Sequence, residues 1–231
     1  MSSIKPLVLY GHGYTPNPLK VVMILEELEL PYDMVNIEMS KVKEEPYISV
    51  NPNGRLPALR DPNTDITLWE SGAIIEYLVE RYDTEHKISY SSLTEKFHLK
   101  QFLFFQVSGQ GPYFGQLGFF KFFHPESIPS VNRRYEEQTV RVLSVLDKVL
   151  ENKQFLVGDK ATYADISFMP YDCLARLMLG SDWNDKYDVD AKYPNYVAWA
   201  ERVKARPVVA RGLNAMKEKK AEEDRAKSAA Q

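Results

Sequence analysis

The sequence predicts two units of different class, a mixed α/β unit over residues 1–85 and an all-helical unit over residues 91–231. Three observations carry this. Short apolar runs alternate with amphipathic stretches only in the first part. Helical spacing, as in Val140, Leu143, Leu146, Val149 and Leu150, dominates the second. The polar stretch Asp83 to Tyr90 lies between them and reads as a linker.

The elements follow in order. Pro6 to Tyr10 reads as a buried strand, followed by a loop from Gly11 to Pro16. Pro18 to Leu28 reads as a helix with Val21, Val22, Leu25 and Leu28 inward. Tyr32 to Ile37 alternates like a strand. The segment from Val50 to Asp61 is turn-rich and leads into Ala58-Leu59, and Ile66 to Trp69 reads as a further short strand. Ser71 to Arg81 then reads as a helix with Ile74, Ile75 and Leu78 inward. The second half adds helical spacing over Ile166 to Leu179 and Tyr193 to Val203. From about Lys217 both charge signs mix with alanine and no apolar stripe is visible, so a fraying helix end or disorder is expected.

Composition excludes several functions. The 29 Lys and Arg nearly balance the 32 Asp and Glu, so no nucleic-acid surface is expected. Residues 1–90 hold 8 basic and 14 acidic side chains, and the remainder 21 and 18, an asymmetry too modest to imply a polyanion partner. The longest apolar run, Val21 to Leu25, is too short to cross a bilayer, and no signal peptide is visible. One cysteine, Cys173, rules out an internal disulfide and any CxxC site. Histidines at 12, 86, 98 and 124 lie far apart, so no metal is expected. A reducing, cytoplasmic location is the default expectation.

Three segments carry possible chemistry. In Thr15-Pro16-Asn17-Pro18, Asn17 reads as an N-cap with proline at the first helical position. It has a chemical reading too, because a helix N-terminus stabilises anions, including a thiolate. An Asn carboxamide can accept through oxygen and donate through nitrogen, and Thr15 adds a hydroxyl. In Val50 to Leu59, Asn-Pro and Asn-Gly are turn chemistry, while Pro57 stands directly before a strand. A cis Leu56-Pro57 bond there would leave the Leu56 backbone available to an extended peptide. In Trp69-Glu70-Ser71-Gly72, Ser71 reads as a helix cap and Glu70 as a complement to the helix dipole. The same pair also suits a zwitterionic amino-acid head group, Glu70 taking the ammonium and Ser71 the carboxylate.

With these motifs in this order, the sequence resembles the cytosolic glutathione transferases over nearly its whole length. Pro57 and Glu70-Ser71 fall where that family has its cis-proline and its Glu/Gln-Ser pair. Phe155 to Asp165 matches the family segment whose physical content is a capping box, Thr162 with Asp165, and a staple between Ala161 and Ile166. Pro16-Asn17, Val50 to Asn53, Trp69 to Ile74 and Phe104 to Gly109 look like the fungal nitrogen-regulator-like branch, which is related to the bacterial nu class.

The resemblance implies a thioredoxin-like N-terminal domain and an all-α C-terminal domain. It implies glutathione as co-substrate, a homodimer, and transfer to electrophiles, with peroxide or small-disulfide reduction as further expectations. Thr15 and Asn17 match positions near the glutathione sulfur. Leu56 and Pro57 would meet the cysteinyl portion, Glu70 and Ser71 the γ-glutamyl head, and Arg55, Lys41 or Lys43 the glycine carboxylate. The alternative is a non-catalytic binding or regulatory protein. No Asn/Gln-rich stretch precedes the first strand, so a prion or repressor role is not expected. Tyr10 reads as packed at the strand end rather than catalytic.

Nine of the eleven phenylalanines fall between Phe97 and Phe123. Glycines at 109, 111, 115 and 118 are expected to interrupt that helix, aiming Tyr113, Phe114, Phe119 or Phe120 at a hydrophobic co-substrate.

Overall fold

The computed structural model describes residues 4–12 and 15–229, so Gly13 and Tyr14 of the first loop lie outside it. The chain divides into two units, Met1–Ile88 with Pro207–Gln231, and Ser89–Arg206. This departs from the expected boundary because the last helix joins the first unit.

In the first unit β1 (Leu7–Gly11) leads through α1 (Pro16–Glu27) to β2 (Tyr32–Asn36), the two strands lying parallel as such a crossover requires. β3 (Ala58–Asp61) pairs antiparallel with β1, Leu9 opposite Leu59 and Tyr10 opposite Ala58. β4 (Ile66–Trp69) pairs antiparallel with β3, giving the order β2-β1-β3-β4, and α3 (Ser71–Tyr82) follows. The core is the apolar run of α1, in which every residue from Pro18 to Leu25 is buried, together with Leu7, Leu9, Leu59, Ile74, Ile75 and Leu78. The Leu56-Pro57 bond is cis, as expected. Between β2 and β3 the structure adds a 3-10 turn at Met39–Lys41 and α2 (Tyr47–Val50). Helices this short present no period for a sequence to reveal.

The last helix, α11 (Pro207–Ala229), stays helical past Lys217 and packs on α1. Val209, Leu213 and Met216 are its buried stripe, at helical spacing. Gly212 permits the close approach, since a Cβ there would meet Met23 at 2.8 Å and Leu19 at 3.1 Å. Arg211 adds an ion pair to Glu26 at 3.0 Å.

The second unit is helical among the described residues: α4 (Leu93–Phe105), α5 (Gly111–Phe122), α6 (Pro129–Val149), α7 (Tyr163–Leu179), the short α8 (Asp182–Asp185) and α9 (Val189–Lys192), and α10 (Pro194–Lys204). The glycine-rich segment does not interrupt the helix as expected. A π-helical turn, Gln106–Gln110, carries α4 into α5, and Gly111 and Pro112 follow that turn directly. Gln106 and Gln110 are fully buried; Gln106 donates to Gln110 and Gln110 to the Phe168 carbonyl, each at 3.1 Å.

Asp165, fully buried, accepts from the Thr162 N–H at 2.9 Å and hydroxyl at 2.7 Å, the Leu156 N–H at 2.9 Å and Trp199 Nε1 at 2.8 Å. Glu136 is held by Lys121 at 2.8 Å, Lys186 at 2.7 Å and the Tyr187 hydroxyl at 2.8 Å, and these contacts hold its carboxyl down at about 2 against the cost of burial.

Candidate functional site

Four of the candidate residues, Thr15, Asn17, Glu70 and Ser71, lie where α1 and α3 begin. Thr15, not Asn17, is the N-cap of α1, with Pro16 at the first helical position. The capping expectation for Asn17 is therefore corrected: it stands one residue beyond Pro16, in the first turn of the helix. Its carboxamide oxygen instead lies 3.5 Å from the Ser71 hydroxyl, which donates to it. Thr15 Oγ1 donates to the His12 carbonyl at 3.1 Å, so a bond from Thr15 to a ligand requires that hydroxyl to rotate.

Ser71 is likewise not the cap of α3. Glu70 occupies that place at φ 71°, a left-handed conformation that costs a non-glycine residue on the order of 1–3 kcal/mol. Such outliers cluster at binding sites. Glu70 is exposed and its Oε1 accepts from Asn53 Nδ2 at 3.4 Å.

That bond ties the second motif to the third. Asn51 is buried, and its amide donates to the Arg55 carbonyl at 2.6 Å while its side-chain oxygen accepts from the Asn53 N–H at 3.0 Å. The Tyr47 hydroxyl donates to the same Arg55 carbonyl at 2.6 Å. Gly54, at φ 61°, closes the turn on the Asn51 carbonyl at 2.9 Å. The loop therefore holds Leu56 and Pro57 in one geometry, and the β1–β3 ladder begins only at Ala58, outside the Leu56 backbone. Arg55 is exposed, and the Lys43 stem lies beside Gly54, 3.1 Å from where its Cβ would be. Lys41 is instead paired with Glu44 at 2.8 Å. Tyr10 is half-buried, its ring 6.0 Å from that of Tyr47 in a cluster with Val42 and Ala58, which suits a packing role.

Two residues escaped the sequence reading. Asn53 was absorbed into turn chemistry, although it reaches Glu70. Lys20 is fully buried within α1, one turn from Asn17 on the same face. Burial lowers its ammonium to about 7, and Glu70 is the charged neighbour that holds it up against that effect. A lysine inside the run Leu19 to Leu25 was the available signal.

The aromatic positions separate. Phe114 is 1% exposed and packs edge-on against Tyr171, as a core side chain does. Phe119 and Phe120 form an aromatic cluster with His124, and Tyr135 stacks on Phe120 at 5.7 Å. Tyr113 is half-buried under the Arg141 guanidinium. Among the described residues no group of His, Cys, Asp or Glu is placed to hold a metal ion, and no helix is long and apolar enough to cross a membrane.

Residues 5–80 match the glutathione S-transferase N-terminal domain and residues 119–215 a C-terminal domain of that family. The chain is similar to the glutathione S-transferase-like protein gedE of Aspergillus terreus, 46% identical over 94% of this chain and 98% of that one. It is also similar to protein URE2 of Meyerozyma guilliermondii, 31% identical over 89% of this chain and 78% of the other. Among solved structures it superposes on Ure2p5 of Phanerochaete chrysosporium, cocrystallized with 1-(S-glutathionyl)-2,4-dinitrobenzene, at a TM-score of 0.85. That pair is 40% identical over 95% of this chain and 98% of the other. With a four-stranded thioredoxin-like domain followed by a helical one, the chain belongs to the glutathione S-transferase family, on the branch of the fungal nitrogen-regulator-like proteins.

Proposed function

We propose that the protein binds glutathione at the joined starts of α1 and α3 and activates its thiolate for attack on a hydrophobic electrophile. One observation carries this reading: the Ser71–Asn17 contact brings a thiolate-donor candidate and a γ-glutamyl-binding candidate to one place. Asn17 donates to the sulfur through its amide nitrogen, with the Thr15 hydroxyl as a second donor. The Leu56 backbone, after which the cis Pro57 redirects the chain, pairs with the cysteinyl portion. Glu70 and Ser71 take the γ-glutamyl head, and Arg55 with Lys43 the glycine carboxylate. The electrophile is carried by Tyr113, Phe119 and Phe120 in the helical unit.

The magnitudes are adequate. A free thiol titrates at ~8.5, and lowering it to about 6.5 needs roughly 2.7 kcal/mol. A helix N-terminus supplies ~0.3–1 kcal/mol and a charge-assisted hydrogen bond ~1.5–3 kcal/mol. No general base is needed. The dinitrophenyl conjugate bound by Ure2p5 is what a glutathione thiolate forms with a halogenated dinitrobenzene, so that reaction is the first to assay.

Likeness to URE2 supports a second reading, a regulatory glutathione-binding protein without turnover. Retention on glutathione resin followed by assays with a halogenated nitroarene, an organic peroxide and a small glutathione disulfide separates the two. Turnover of any of the three establishes the enzyme and ranks transferase against peroxidase and reductase activity. Binding with no turnover selects the regulatory reading, and no binding defeats both. A homodimer in the cytoplasm is part of the proposal, checked by light scattering and fractionation.

A further inference from the structure

We propose that Tyr47 and Asn51 are positioning residues of the glutathione site, which clamp the Arg55 carbonyl and thereby aim the Leu56 N–H at the cysteinyl carbonyl of the peptide. This inference rests on the glutathione reading above and extends it to two residues that do not touch the ligand.

The case starts from the peptide unit between Arg55 and Leu56. Its oxygen accepts from the Tyr47 hydroxyl and from Asn51 Nδ2, each at 2.6 Å. A carbonyl oxygen has two lone pairs, so both are engaged. One donor, or water, satisfies such a group, and a second donor fixes where it points. The two donors are themselves held in place. Tyr47 is buried in the cluster with Val42 and Ala58. Asn51 is buried too, and its side-chain oxygen accepts from the Asn53 N–H at 3.0 Å.

Fixing the oxygen fixes the N–H. A peptide unit is planar, and Arg55–Leu56 is trans, the cis bonds being Glu45-Pro46 and Leu56-Pro57. In a trans unit the C=O and N–H point in opposite directions, so the Leu56 N–H is directed away from Tyr47 and Asn51. The Leu56 side chain packs against the same cluster as Tyr47, a second anchor on that side. The register pairs of β1 and β3 begin at Ala58, past this N–H. An extended peptide therefore meets a donor whose direction is set before it arrives, which lowers the ordering cost of binding. Asn51 reaches the γ-glutamyl candidate as well, because Asn53 donates through Nδ2 to Glu70 Oε1 at 3.4 Å.

The test compares glutathione with an isostere in which a trans-alkene replaces the cysteinyl–glycine amide, keeping its shape without the carbonyl acceptor. Calorimetric titration of the intact protein is expected to show a preference for glutathione of about fivefold or more, within the range for one hydrogen bond. Tyr47→Phe removes only the hydroxyl. Asn51→Asp keeps the acceptor for the Asn53 N–H and loses the donor. Each is expected to bring the preference within about twofold. A merely structural role would weaken both peptides alike, so an undiminished preference in both variants overturns the positioning role, as does a wild type without preference. Amide NMR of the wild type guards against misfolded variants. The Leu56 N–H resonance should move downfield with glutathione and not with the isostere, and an unmoved resonance on bound glutathione overturns the role too. A wild type that binds neither peptide instead defeats the glutathione reading, and this inference with it.

Discussion

The Ser71 hydroxyl donates to the Asn17 carboxamide oxygen across 3.5 Å, joining the first turns of α1 and α3 through side chains 54 residues apart. Asn17 thus reaches sideways, toward a neighbouring helix, while the N-cap of its own helix is Thr15.

Removal of the Asn17 amide therefore separates stability from chemistry. Because the N-cap is Thr15, Asn17→Ala should cost less folding stability than the ~1 kcal/mol typical of a true N-cap. It should lower kcat/KM at least ~10-fold and move the bound glutathione thiol toward ~8.5, read from thiolate absorbance against pH. Full activity with an unshifted thiol in Asn17→Asp, which places an anion beside the sulfur, would count decisively against a donor role.

Lys20 makes stability depend on pH in a stated direction. Its folded value, about 7, lies below the ordinary 10.5, so between those values the unfolded chain binds more protons. Stability is lowest below pH 7 and rises as pH climbs above it, by up to something on the order of 4 kcal/mol across the window. Denaturant titrations from pH 6.5 upward should show the rise in the wild type and its loss in Lys20→Met. An equal slope in both would assign the effect to other groups.

Glu136 gives a slope of the same direction, in an acid window. Its folded value, about 2, lies below the ordinary 4.5, so the stability it contributes is complete above pH 4.5 and fades as pH falls toward 2. Because the Lys186 side chain is 47% exposed, the contribution is discounted to about 1–2 kcal/mol. Glu136→Gln should lower stability near pH 7 and flatten the acid limb, measured by thermal melts at pH 3 to 6.

Two glycines of the helical unit should respond oppositely to alanine. A Cβ on Gly158, at φ 66°, would lie 2.2 Å from the Tyr90 hydroxyl. That hydroxyl donates to Asp159 Oδ1 at 2.8 Å and accepts from the Asp159 N–H at 2.9 Å, so Gly158→Ala should cost about 2–4 kcal/mol. Gly115, inside α5 with nothing near its Cβ, should become more stable as alanine by up to ~1 kcal/mol. Paired melting curves decide both.

Much of the first unit was legible because its signals are local. Alternating runs place the strands, and the Asn-Pro, Asn-Gly and Leu-Pro steps mark the loop around the cis bond. The caps of α1 and α3 fall two and one residues before Asn17 and Ser71, and for α1 the prolines at 16 and 18 give two plausible helix starts. The reach of Asn53 to Glu70 and the burial of Lys20 depend on how α1, α3 and a loop meet, and local pattern does not encode that. Glycines at 109, 111, 115 and 118 suggested a break, yet two buried glutamines carry the helix through in a wider turn. Phe114, Phe119 and Phe120 look alike in sequence and part only when packing sets one inside and leaves the others accessible.

The return of α11 to α1 makes the first unit discontinuous along the polypeptide. A nascent chain emerging from the ribosome can form the four strands early, but the apolar flank of α1 near Met23 has no cover until α11 has been translated. Premature termination ahead of Pro207 would release a product with that flank bare, a target for chaperones or proteases even though every candidate glutathione contact is already encoded.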